Sequence, residues 1–306
     1  MTALDADIAE LQSTYGNLVA IDRRPEGMQY SARLRDGTPV DVIALNRSLG
    51  ERVRDPARFF AALERAAAIR HRALAPPLSW GRSDSGLFHY AREVLQPGVL
   101  TPGEFSAADV AALGEQLARG LEVAHRSDLY HGAITPWRIS QMSRGGVLGS
   151  LGVFAALHAG GLESRQVAAA LGEDAYHSPE VQRGSSPDER SDVYSLGATL
   201  FVLLTGKPPF GGRTTSFVMA TVLSNKDSQE SDGIDDASAA VIVEALLRAI
   251  EHAPEDRWQS ARAFADALAP GSARTQMSAD AQPKRGLAKF LAIFRNAWFP
   301  ARRSRG

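Results

Sequence analysis

The spacing of apolar and polar positions changes several times along this chain, and each change marks an element. Ile8 and Leu11 share one face of a short leading helix. From Tyr15 the pattern turns to strands. YSARLRDGTPVDVIAL, residues 30–45, roughly alternates around Asp36-Gly37, a dipeptide that strongly signals a tight hairpin. Three strands are expected between Tyr15 and Leu45. At Pro56 the period lengthens, and PARFFAALERAAAIRH predicts a helix from Pro56 to His71. LAPPLSWG and GLFHYAREVL read as two further strands, the second ending near Glu93 and Val94. Ala107 to Ser127 is an alanine-rich helix. Val193 to Thr205 is an apolar one that stops at Gly206 and the Pro208-Pro209 pair. A helix near Thr215 to Leu223, a polar acidic loop from Ser224 to Asp236, and helices over Ala237–Glu251 and Ser260–Leu268 follow. Strands gathered early and helices late give an α+β chain.

Composition narrows the classes without choosing among them. The 306 residues carry 34 Lys and Arg against 35 Asp and Glu, a net charge of −1, so no basic whole-chain balance points to nucleic acid. Cysteine is absent, which removes disulfides, thiol nucleophiles and thiolate metal ligands, and suits a cytoplasmic protein. The acidic, amphipathic start MTALDADIAELQ does not read as a secretory leader. No run of eighteen uncharged apolar residues suggests a membrane span. His71, His89, His125, His158, His177 and His252 lack metal-ligand spacing, so no metal site is expected. There are no internal repeats.

Four strings carry more than composition does: Tyr176-His177-Ser178-Pro179-Glu180, Ser191-Asp192-Val193-Tyr194-Ser195-Leu196-Gly197, Pro208-Pro209-Phe210 and Pro254-Glu255-Asp256-Arg257-Trp258. Their order and spacing resemble the helical half of protein kinases, above all bacterial Ser/Thr kinases. The resemblance implies a bilobal protein-kinase-like fold over residues 15–268. A small β-rich N-lobe (15–94) would precede a larger helical C-lobe (95–268), with an N-terminal extension over 1–14. It also implies structural roles. Glu180, in the turn equivalent to Ala-Pro-Glu, would pair with Arg257. Asp192 would bond the catalytic-loop backbone, and His131 would be a core residue of that loop. Trp137 reads as packing.

Set against the same family, the chemistry is missing. Phosphoryl transfer needs a lysine on the phosphates, oxygen ligands for Mg²⁺ and an aspartate to orient the hydroxyl. The glycine-rich loop falls on Asp22, Arg24 and Gly27, one glycine of three. The strand-3 lysine position is Ile43, and no register slip rescues it, since the first lysine in the chain is Lys207. Its usual glutamate partner falls on Ala62, and the nearby Glu64 reads as a solvated surface charge. The catalytic loop is His131-Gly132-Ala133-Ile134-Thr135-Pro136-Trp137-Arg138, with Ala133 for the orienting Asp and Arg138 for the metal-binding Asn. Asp-Phe-Gly is matched by Ser150-Leu151-Gly152, and no acid lies between Asp128 and Glu163. Glu173 stands where the family places a Thr, and Ser164 is the one hydroxyl of the segment from Gly160 to Glu173. Arg92, just before hinge residues Glu93 and Val94, occupies the gatekeeper position. It either plugs the cleft or pairs with Glu93 and points outward.

Residues 269–283 read as a flexible linker, and 284–306 as a basic amphipathic tail. Leu287, Phe290, Leu291, Phe294 and Trp298 form one helical stripe, with Lys289 off it and Arg302 and Arg303 beyond. That suits an interfacial helix on an anionic membrane or a partner, ahead of docking on the domain itself or binding nucleic acid. Together these features imply a catalytically inactive kinase-like protein, a pseudokinase, expected to need neither ATP nor Mg²⁺. It would serve as a regulatory or scaffolding module for a protein partner, with an active kinase and a membrane protein as candidates. Its expected place is the cytoplasm, including the inner face of the cell membrane. The alternative is an unorthodox nucleotide-dependent transferase on the same fold.

Overall fold

A computed structural model describes residues 3–95, 100–172, 174–209 and 236–269. The tail stripe and its basic residues, the 215–223 helix, residues 224–235 of the acidic loop, Phe210 and Glu173 lie outside them. Helix α1 (Ala3–Thr14) precedes strands β1 (Gly16–Arg24), β2 (Gly27–Arg33) and β3 (Pro39–Leu45). Helix α2 (Pro56–Ala67) comes next, then β4 (Pro77–Arg82) and β5 (Phe88–Glu93). The five strands form one antiparallel sheet ordered β1-β2-β3-β5-β4. The Asp36-Gly37 turn is where the alternation placed it, with Gly37 at φ +86°.

β3 is buried on both faces, and the two faces do different work. Val40, Val42 and Ala44 pack with Leu11, Tyr15 and Tyr30, so the leading helix delivers Leu11 and Tyr15 to the outer face of the sheet. Asp7 on that helix accepts from Arg47 at both carboxylate oxygens (2.8 and 2.7 Å), which fixes it to the one-turn helix Arg47–Gly50 after β3. Ile43 and Leu45 face the other way, into a cluster with Phe59, Ala62 and Leu63 of α2. Helix α2 buries Phe59, Ala62, Leu63 and Ala66, an i, i+3, i+4, i+7 stripe; Pro56 opens it and Asp55 caps it by accepting from Arg58 N.

The helical lobe is built around α6 (Glu189–Thr205), in which every side chain from Ser191 to Leu204 is buried. Around it stand α3 (Ala107–His125), α7 (Asp236–Ala249) and α8 (Ala261–Leu268), with the small β6–β7 hairpin (Ile139–Met142, Gly145–Leu148) against α3. A helix with no solvent face depends on its ends for polar satisfaction. Asp188 meets that need by accepting from both Arg190 N (2.8 Å) and Ser191 N (3.1 Å). Asp188→Ala is expected to lower stability by about 1 kcal/mol; an unchanged urea midpoint would show the cap to be idle. No helix among the described residues is long and apolar enough to cross a membrane.

The stretch from Leu151 to Leu171, which the resemblance places at the metal loop and activation segment, holds two helices, α4 (Val153–Ala159) and α5 (Ser164–Leu171). Val153, Phe154, Ala156 and Leu157 of α4 and Val167, Ala168 and Leu171 of α5 join the apolar cluster beneath α2.

Candidate functional site

The crevice between the sheet and the helical lobe is where the sequence placed the vacant chemistry, and the substituted residues do converge there. Ile43 is 1% exposed and shares its apolar cluster with Ala62, Leu63, Ala133 and Phe154. An apolar contact therefore stands where a lysine–glutamate pair would be. Glu64 is exposed, as its position half a turn away implied. Helix α2 sits hard against the crevice: a Cβ on Gly152 would lie 2.3 Å from the Ala66 methyl. Ser150, at the metal-aspartate position, has φ +64° and accepts a hydrogen bond from the Tyr90 hydroxyl (3.1 Å). Burial pushes the Tyr90 phenol up to about 12, so it remains a donor.

Arg138 is the centre of the crevice. Its Nη1 and Nη2 donate to Glu26 Oε1 (2.8 Å) and Oε2 (2.9 Å), a bidentate pair, and Nη2 also donates to the Leu171 carbonyl (2.6 Å). Both side chains are almost wholly buried, at 4% and 2%. Burial alone would lower the Arg138 pKa, but the Glu26 carboxylate outweighs it and holds the guanidinium charged. Glu26 lies in the β1–β2 turn, which the sequence identified as the glycine-rich loop, so the acid at this site comes from the other lobe. Gly27 is required next to it, because a Cβ there would stand 1.9 Å from the Ala44 carbonyl oxygen.

Arg92 resolves in favour of the crevice. It is buried, and its Nη2 faces Asp41 Oδ2 at 3.4 Å; a Cβ on Gly149 would come within 3.5 Å of its guanidinium carbon. Its Nε and Nη1 find no hydrogen-bond partner among the described residues, and burial lowers its pKa. Glu93 pairs instead with Arg144, and Val94 is half-buried beyond the strand end. Asp41 lies two residues before Ile43, so both side chains line the crevice face of β3. Asp41 also accepts from Leu95 N (3.2 Å). Of this network the sequence reading missed Glu26, Asp41 and Tyr90.

These residues do not fit a nucleotide-bound Mg²⁺. A hard dication takes several oxygen ligands, usually with carboxylate among them. Here its place holds a cation paired on both forks with Glu26, and the metal-aspartate position offers the Ser150 hydroxyl in place of a carboxylate. Among the described residues no group of three His, Asp or Glu side chains is placed to hold a metal.

The residues to which the resemblance gives structural roles lie in two buried hydrogen-bond clusters. Asp192, 0% exposed, accepts from His131 N (2.7 Å), Gly132 N (2.7 Å) and His125 Nε2 (2.8 Å). Burial alone would raise its carboxyl, but the His125 hydrogen bond and the charges around it bring it below the ordinary carboxylate range. His131 sits within hydrogen-bond reach of the Gly149 carbonyl (2.9 Å), and burial pushes its imidazole down to about 4. Arg257 forks onto both oxygens of Glu180 (2.7 and 2.8 Å). Trp137 packs edge-on against Tyr176 at 5.3 Å between ring centres.

A five-stranded antiparallel sheet carrying a helix, followed by a helical lobe whose buried aspartate holds the loop at His131, is the protein kinase architecture. The sequence agrees: residues 87–266 match the protein kinase domain family, and the chain belongs to it. It is 34% identical over 179 residues to a probable serine/threonine-protein kinase, PknB, of Corynebacterium glutamicum, which takes in 57% of this chain and 27% of that protein. With PknB of Mycobacterium tuberculosis it is 30% identical over 220 residues, 68% of this chain and 35% of the relative. The chain thus spans well under two thirds of the length of these curated relatives. Among solved structures, the PknI kinase domain of Mycobacterium tuberculosis superposes with a TM-score of 0.59 at 21% identity, over 83% of this chain and 96% of that one. The pseudokinase domain of BIR2, an immune regulator of the RLK/Pelle family, does so at 0.63 and 21%, over 89% and 87%. At such identities the likeness is one of fold.

Proposed function

We propose that this chain is a catalytically inactive kinase-like domain that serves as a regulatory or scaffolding module for a protein partner. The observation that carries the reading is Arg138. At the family's metal-binding position stands a buried guanidinium, bonded on both forks to a carboxylate from the loop that would otherwise cover phosphates. Ile43 and Ala133 add to it, because neither can contact a phosphate or orient a hydroxyl. Asp41 and Arg92 place a second ion pair on the crevice face. What remains intact is the framework, Asp192 with its three donors and Glu180 with Arg257, which is what a binding platform needs.

Thermal unfolding with and without ATP and Mg²⁺ tests the reading. A ligand present at a hundredfold its Kd stabilises the folded state by about 2.7 kcal/mol. No such stabilisation is expected, and no transfer of phosphate from ATP to this chain or to a general acceptor protein. A clear ATP- and metal-dependent shift, or phosphotransfer that disappears on substituting a crevice residue, would move the assignment to a nucleotide-dependent transferase.

A further inference from the structure

The Glu26–Arg138 pair does more than fill a vacancy, because its partners lie 112 residues apart and on opposite lobes. The β1–β2 turn that carries Glu26 is short and fixed at its base. Pro25 restricts the turn. The Asn46 amide nitrogen donates to the Pro25 carbonyl (2.8 Å), and Asn46 N donates to the Glu26 carbonyl (2.7 Å). Two contacts flank the ion pair. Arg24 Nη1 donates to the Trp137 carbonyl (3.1 Å) while its Nε holds Gln29 Oε1 (2.8 Å), and Tyr90 reaches Ser150. Arg138 carries the connection onward to the Leu171 carbonyl at the end of α5. One guanidinium therefore ties the β1–β2 turn, the loop after His131 and the end of α5 together. A buried, bidentate, charge-assisted pair is screened little by salt and is costly to open, since each charge would be stranded.

We infer that Glu26 and Arg138 form a permanent latch between the lobes, which holds the crevice closed without any ligand and gives this domain a single closed form. The latch deepens the reading of an inactive domain and rests on it in part, but the two can fail separately. In a domain whose closure follows a bound ligand, the lobes sample open and closed states, and the ligand shifts that balance. Here a side chain of the domain stands in the ligand's place, so no small molecule is needed to present the closed surface.

The absence of cysteine makes distance measurement between two introduced spin labels clean. Labels at exposed positions Asp22 and Ser185 report the β1–β2 strand pair against the helical lobe. The full-length, nucleotide-free protein is expected to give one narrow distance distribution, unchanged by ATP and Mg²⁺. Glu26→Gln is expected to broaden it. The same substitution should speed amide exchange at residues 26–29 and 137–138 by about ten- to a hundredfold, the factor carried by a charge-assisted hydrogen bond. Amides of α6 should be unaffected, which separates opening from unfolding. Arg138→Met should match Glu26→Gln, and the double variant should be no worse than either. A broad or two-peaked distribution in the unsubstituted protein would overturn the latch, as would an unchanged distribution in a folded Glu26→Gln variant. Should Glu26→Gln not fold, the unsubstituted distribution alone decides. Stabilisation by nucleotide with an unchanged narrow distribution would instead defeat the inactive-domain reading and leave the latch standing.

Discussion

Arg257→Ala is expected to destabilise the domain by about 3–5 kcal/mol, the cost of leaving one partner of a buried pair uncompensated. That is a large share of the 5–15 kcal/mol or so that holds a typical domain folded. The guanidinium is fully buried, and its contacts explain the size of the effect. Besides the fork to Glu180, it donates to the carbonyls of Glu251, Arg190 and His252 (2.7, 3.2 and 3.0 Å) and lies over the Tyr194 ring at 4.8 Å. It thus joins the Ser178-Pro179-Glu180 turn, the start of α6 and the segment after α7. Arg257→Lys should recover only part of the loss, since an ammonium cannot fork or span those carbonyls. The pH dependence gives an independent check. Burial alone would raise the Glu180 carboxyl, but its hydrogen bonds to Arg257 hold it down to about 2, against an ordinary 4.5. The folded state therefore binds fewer protons than the unfolded one between those values. Stability from this pair is present above about pH 4.5 and is lost as pH falls through 2. Urea midpoints of the parent and Arg257→Ala should converge on acidification across that window. Parallel curves would mean that Arg257 acts by packing alone.

The residues of that pair were legible because each sits in a local string, Ser-Pro-Glu in one case and Pro-Glu-Asp-Arg-Trp in the other. Asp192 was legible for the same reason. Glu26 was not. No acid lies near Arg138 along the chain, between Asp128 and Glu163, and the acid that matters arrives from the other lobe. The signal was nevertheless present. An arginine at a buried loop position needs a counter-charge, and the β1–β2 turn, which the family sets above that loop, carries a glutamate. Asp41 left a similar trace, a lone carboxylate inside the apolar strand PVDVIAL. Its partner Arg92 was identified, but the pairing depends on β3–β5 register, which fixes Asp41 opposite Arg92 and is not written in either strand alone. Helices α4 and α5 were not named from the sequence for a different reason. The resemblance gave their residues a position, metal loop and activation segment, and no secondary structure, although VFAALHA has helical spacing and Glu163 and Gln166 form a capping box.

Ile43→Lys, which restores the residue the family uses on the phosphates, is expected to weaken the domain by about 3–5 kcal/mol and to bring no activity. The position is 1% exposed, and its neighbours in the crevice cluster are Phe59, Ala62, Leu63, Ala133 and Phe154. The helix position that would supply its usual partner is Ala62, and the crevice carboxylates Asp41 and Glu26 are already paired with Arg92 and Arg138. Its Glu64 alternative faces solvent. A lysine in such a place either keeps its charge against an apolar wall or gives up its proton, and both routes cost free energy of folding. Adding Ala62→Glu should return part of the loss if the two side chains meet, because a buried pair is penalised less than a lone charge. Even that pair would face a crevice whose metal position is Arg138 and whose hydroxyl-orienting position is Ala133. The measurement is a denaturant midpoint for the parent, Ile43→Lys and the double variant, beside a phosphotransfer assay of each. A single variant as stable as the parent would show that the crevice near Ile43 admits water and is not the packed apolar contact described. Phosphotransfer gained by either variant would show that one lysine was the missing part. The arrangement of Arg138, Glu26 and Ala133 argues against it: a lysine at Ile43 leaves the Glu26–Arg138 pair at the metal position and Ala133 at the hydroxyl-orienting one.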